Sequence, residues 1–250
     1  MPVFESESLV LRSYGLAEAD RIVVFFTREH GVVRGVAKGA KRLRSRFGST
    51  LELFSTVNLT YFQKEDRELV SVQQIELVRS RFALAGSPEY LHTFSYLADL
   101  ITSIVPPHDP SEKVYRMTAA CLDTALENCE DLAAVRLYFE MWLLRLGGFL
   151  PDWKSCGQCL RPFTDNQPAT LRPDLHLICT QCRSNRHMTP VSTDHRKIFR
   201  LVQRLSPASF IENSGTSSEA ISDLSAMMRR IVTQVVGRDL MNERTMVVNS

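Results

Sequence analysis

Hydrophobic residues follow two different periods along this chain. Through the first eighty residues, runs rich in Val, Leu, Ile, Phe and Thr cover 8–13, 21–27, 32–38, 53–62 and 68–78, and in places they alternate with polar neighbours. Alternation of period two, with β-branched and aromatic residues, predicts half-buried strands. Gly15, His30-Gly31, Gly39, Gly48 and the charged run 64–67 separate the runs as turns. Five short strands in about eighty residues suit a small closed barrel. The OB-fold is one such solution, and periodicity does not separate it from an SH3-like barrel.

Beyond Arg81 the period becomes helical. Segments 88–105, 110–127 and 131–146 carry apolar stripes such as Leu97, Leu100, Ile101 and Ile104, then Val135, Phe139, Trp142, Leu143 and Leu146. Asp131 suits an N-cap, Gly147-Gly148 a stop, and Pro106-Pro107 a break. Two further helices are expected at 194–205, with Thr193 as cap, and at 218–236, ended by Gly237. There is no internal repeat and no low-complexity segment. The reading is α+β and multi-domain: a barrel over 1–80, a helical domain in two parts over 81–150 and 191–250, and a cysteine region over 151–190 embedded between them.

Composition agrees with a folded chain: 250 residues, 44% hydrophobic and 23% charged. The first eight residues hold Glu5 and Glu7 and no apolar run, so no secretory signal is expected. The longest charge-free stretch, 53–63, is far too short to span a bilayer. Six cysteines without a signal point to a reducing cytosol, where thiols more often bind metal than pair. The net charge of +2 hides a basic first part, an acidic middle and a basic last part. Local charge is therefore more informative than the mean.

Cys156-Gly-Gln-Cys159 and Cys179-Thr-Gln-Cys182 form C-x2-C-x19-C-x2-C, the spacing of a four-thiolate zinc site. Two intervening residues let both sulfurs of a knuckle reach one ion. The polar, turn-rich segment between the pairs has little core of its own, so a metal would supply stability there. Disulfides or a redox pair are the competing readings, and two matched knuckles argue against both. Four thiolates close the coordination sphere, which makes the zinc structural, with one ion expected. His176, His187 and His195 lie nearby and read as ordinary polar residues. Cys121 and Cys129 read as small core residues on helical ground.

Arg34, Lys38, Lys41, Arg42, Arg44 and Arg46 place six positive charges in thirteen residues without an acid. With Gly39, Ser45 and Gly48 they suggest a mobile loop between the third and fourth strands. Such a loop suits phosphate contact, although a solvated charged loop is the plainer reading. Phe25-Phe26 and Tyr61-Phe62 are adjacent pairs, so one ring of each should point away from the core and be available to stack bases. No phosphate-binding, dinucleotide, nucleophile-elbow or zinc-protease motif is present, and the acids do not cluster for two-metal chemistry. The chain reads as a binding protein and not an enzyme.

Four stretches carry a family resemblance: Glu18 to Gly31 (E-A-D-R-I-V-V-F-F-T-R-E-H-G), Val36 to Arg42 (V-A-K-G-A-K-R), Ser45 to Gly48 (S-R-F-G) and Leu51 to Ser55 (L-E-L-F-S). With the order of elements, they resemble the RecO family of bacterial recombination-mediator proteins. The resemblance implies an N-terminal five-stranded OB-fold barrel, an all-helical domain and an embedded four-cysteine zinc region. It implies binding of single- and double-stranded DNA, annealing of complementary strands, and help in loading the recombinase onto strands coated by single-strand-binding protein. RecR and the C-terminal tail of the single-strand-binding protein are the implied partners, and the bacterial cytoplasm, at the nucleoid, the implied location. By analogy, Lys38, Lys41, Arg42, Arg44 and Arg46 hold phosphates. Two other readings compete: an OB-fold RNA-binding or ribosome-associated protein with a zinc scaffold, and a nuclease whose residues are not recognised.

Overall fold

The computed structural model describes residues 2–64, 67–82, 86–165, 167–183, 188–213 and 218–241. His187 and the last nine residues lie outside that set, as does the side chain of Cys129. The chain divides into two compact units, Met1–Leu122 and Asp123–Ser250.

The first unit is built on a closed barrel of strand order β1-β2-β3-β5-β4, formed by β1 (Val3–Leu16), β2 (Asp20–Thr27), β3 (Gly31–Ala37), β4 (Thr56–Phe62) and β5 (Val70–Arg79). Closure by a parallel β3–β5 pair among antiparallel neighbours matches the OB-fold. The first strand is much longer than its hydrophobic run because it serves two partners. Val3–Leu9 pairs with β4 and Ser8–Leu16 with β2, with a bulge between Val10 and Arg12. Bulges bend and twist a strand, and this one lets a single strand turn the barrel's corner. Gly35 sits where β3 meets β5; a Cβ there would lie 2.7 Å from a Val72 methyl. Alternate residues point inward, and Val10, Val23, Phe25, Val33, Val57, Leu59, Val70 and Val72 fill the interior. Burying one such Val or Phe contributes about 1.5–3 kcal/mol. Helices α1 (Pro88–Ile104) and α2 (Glu112–Glu127) follow. Ser87 caps α1, accepting from the Tyr90 amide, with Pro88 at its first position.

The second unit holds α3 (Leu132–Leu146), α4 (Thr193–Arg204), α5 (Pro207–Asn213) and α6 (Ser218–Val236). A three-stranded sheet of order β7-β6-β8 comprises β6 (Ala169–Leu171), β7 (Leu177–Cys179) and β8 (Thr189–Val191). Two side chains fasten α3 to the end of α4: Tyr138 donates to the Leu205 carbonyl and Trp142 to that of Val202. The stack of Trp153 on Phe199, ring centroids 4.5 Å apart, joins the cysteine region to α4.

Several local expectations differ. The N-cap of α4 is Ser192, which forms a reciprocal box with His195, so Thr193 is already helical. Asp131 makes no capping bond, because a short 3-10 turn over Cys129–Asp131 leads into α3. Gly148, with φ of +77°, ends that helix as expected.

Candidate nucleic-acid interface and metal centre

The basic segment leaves β3 and returns through Phe47, whose buried ring anchors the loop in the barrel core. The loop is tied down rather than loosely held. The Gly39 amide donates to Asp20 Oδ1 at 2.8 Å, the Lys41 amide donates to the Ala19 carbonyl at 2.9 Å, and successive tight turns link Gly39 to Arg42, Arg42 to Ser45 and Ser45 to Gly48. The mobile loop expected from its glycines is thus docked on the β1–β2 turn.

All six cations are exposed, but they are not equivalent. Arg34 faces Glu68 at 3.5 Å. Lys41 directs its ammonium to the Ala17 carbonyl at 2.8 Å, and the Arg46 guanidinium lies 4.9 Å from the Phe47 ring centroid. Among the described residues, Lys38, Arg42 and Arg44 have no acid within ion-pair distance. Leu43, between the last two, is fully exposed.

The expected stacking aromatics are not available. Phe26 does point away from the barrel interior, but it is fully buried against Tyr115 of α2, with ring centroids 5.6 Å apart. Phe62 is half-buried and Tyr61 belongs to the core. Tyr14, which the sequence reading passed over, is 46% exposed. It pairs with Ile22, and Ile22 with Val36, so the three line one outward strip beside Arg34 and Arg12. The Tyr14 hydroxyl accepts from Arg12 at 3.3 Å. Both of these arginines are already ion-paired, Arg12 with Asp99 and Arg34 with Glu68, and in the sequence only the position of Tyr14 two residues after Arg12 marked it.

The four cysteines converge. Cys156 and Cys179 are buried, Cys159 and Cys182 half-buried, and their sulfurs all lie within 4.8 Å of one another. The first knuckle closes through the Leu160 amide on the Cys156 carbonyl, and the Gly157 amide joins it to β7 at Leu177. A Cβ at Gly157 would lie 2.7 Å from His176, so only glycine lets the chains approach this closely. Burial pushes the Cys156 thiol up. Amide donors from Cys159, Cys179 and Gln158 outweigh burial and bring it down to about 6. The Cys182 thiol, hydrogen-bonded to the sulfurs of Cys179 and Cys159, is pushed up to about 12. Sulfurs this close cannot all ionise without a cation among them. Cys159 and Cys179 sulfurs stand 3.9 Å apart, against about 3.8 Å for two thiolates on one tetrahedral ion with 2.3 Å bonds. The set therefore fits one metal ion. His176 bonds the Asp174 carbonyl and His195 caps α4, so both are occupied elsewhere. Cys121 is fully buried beside Met117, and burial pushes its thiol well up.

Among the described residues, no helix is long and apolar enough to cross a membrane. The family model described as Recombination protein O N terminal matches residues 1–81, and that described as Recombination protein O C terminal matches residues 87–244. Three relatives bear the name DNA repair protein RecO. That of Koribacter versatilis is 30% identical over 237 residues, covering 94% of this chain and 93% of the relative. That of Syntrophotalea carbinolica is 32% identical over 177 residues, covering 71% and 68%. That of Symbiobacterium thermophilum is 30% identical over 184 residues, covering 73% and 72%. These names state a repair role and no catalysed reaction. By these matches, which together cover nearly the whole sequence, the chain belongs to the RecO family.

Proposed function

We propose that this protein acts in DNA repair as a non-enzymatic recombination mediator. It binds single- and double-stranded DNA, anneals complementary strands, and assists recombinase loading onto strands coated by single-strand-binding protein. The observation that carries this reading is the exposed trio Lys38, Arg42 and Arg44, without an acid partner among the described residues, on an OB barrel whose outer strip displays Tyr14. Cations release condensed counterions from phosphates, and an aromatic ring accepts any base. Annealing then needs no covalent step: screening phosphates lowers the repulsion between strands, and base pairing drives their union.

One zinc ion, held by Cys156, Cys159, Cys179 and Cys182, closes the knuckles and stiffens the second unit. Family membership supports RecR and the acidic tail of single-strand-binding protein as partners, and the bacterial cytoplasm as location.

Annealing of complementary oligonucleotides, without nucleotide or added divalent metal, tests the reading. The full chain should accelerate duplex formation, and more weakly as salt rises. No acceleration at low salt would refute mediation by annealing. Preference for structured RNA would favour the ribosome-associated alternative.

A further inference from the structure

Two loops of this chain show the same uncommon arrangement, an exposed leucine next to arginines. In the barrel loop it is Leu43, between Arg42 and Arg44. In the second unit it is Leu160, at the tip of the first cysteine knuckle, 75% exposed and followed by exposed Arg161. Leu160 has φ of +60°, the left-handed region that a side chain with a Cβ disfavours. The hydrogen bond that the Leu160 amide donates to the Cys156 carbonyl calls for that backbone shape, but not for leucine. Glycine or asparagine would adopt it more readily and would not put an apolar side chain in water. The cysteine cluster packs with Ile178 and Phe163 and does not include Leu160.

The surrounding charges point the same way. Arg161 donates to Gln181 Oε1 at 2.7 Å, which ties the first knuckle's tip to the second, where Arg183 is exposed. The three acids of segment 151–183 are each engaged by another cation: Asp152 by Lys154, Asp174 by Arg172 and Asp165 by Arg200. Among the described residues, Arg161 and Arg183 therefore have no acid to neutralise them.

We infer that the paired knuckle tips form a second nucleic-acid contact, separate from the barrel loop. Arg161 and Arg183 meet phosphates, and Leu160 lies against the apolar face of a base or sugar in a single strand. The inference rests on the DNA-binding reading above and extends it to the second unit. The metal then does more than stiffen the unit, because it fixes the shape of a binding surface.

The test uses the metal-loaded full-length protein, with Arg161→Gln/Arg183→Gln, Arg161→Lys/Arg183→Lys and Leu160→Asn, each checked for unchanged metal content. Binding of a fluorescein-labelled oligothymidine is titrated at several salt concentrations. The double Gln variant should lower the slope of log affinity against log salt by about 1.4, two contacts at about 0.7 each, while the Lys pair keeps it. Leu160→Asn should weaken binding about tenfold at fixed salt without changing the slope. If the parent binds and the Gln and Asn variants match it in affinity and slope, the inference is overturned while the proposed function stands. That is also the result expected if the tips dock an acidic protein. A parent that binds no DNA overturns both.

Discussion

An arginine's use depends on which acid stands beside it. Arg34 and Arg42 are both exposed and lie within the same basic stretch, yet Arg34 faces Glu68 while Arg42 has no such partner among the described residues. Exposed ion pairs contribute little stability, about 0–1 kcal/mol, but a phosphate must displace the carboxylate before using the arginine. The cluster of six cations was legible in sequence, but its division was not, because Glu68 and the Ala17 carbonyl reach it through folding. Aromatic exposure failed for a similar reason. Alternation correctly turned Phe26 out of the barrel, but α2 covers that side with Tyr115. Tyr14 takes over the role. Tyr14→Ala should cost about 1–3 kcal/mol of oligothymidine binding, and Tyr14→Phe should keep nearly all of it, since stacking needs the ring and not the hydroxyl. Equilibrium anisotropy checks this; equal losses in both variants would assign the effect to the hydroxyl's bond with Arg12.

Element by element, legibility followed length. The five barrel strands and α1, α2, α3, α4 and α6 each contain enough residues to display a period. Strands β6 to β8 have three residues each and display none, and the seven-residue α5 begins at a proline. The cysteine spacing was legible because it is chemical and needs no period. What spacing could not give is the buried-to-exposed order of the sulfurs, with Cys156 and Cys179 inward. Cys156 also accepts the Cys179 amide at 3.4 Å, so it holds the two knuckles together. Cys156→Ser should therefore drop metal content well below one ion per chain and open the region from Ser155 to Cys182 to protease. Elemental analysis and limited proteolysis read both effects. A full complement of metal in that variant would contradict the four-thiolate assignment.

For the whole molecule, the two units carry different burdens. The barrel unit is stabilised by a contiguous apolar interior, whereas the cluster around the cysteines is small, with Cys156, Ile178 and Cys179 as its buried members. A metal ion there replaces the core that such a short segment cannot build. The central claim is that unpartnered cations on the barrel loop grip the phosphate backbone whatever the sequence. Titrating the full chain with single strands of different sequence across a salt series, alongside Lys38→Ala/Arg42→Ala/Arg44→Ala, tests it most directly. The parent should bind all sequences similarly, and the triple variant should lower the salt slope by about 2, three contacts at about 0.7 each. A parent indifferent to oligonucleotides in dilute buffer, or a triple variant with the parental slope, would contradict the account.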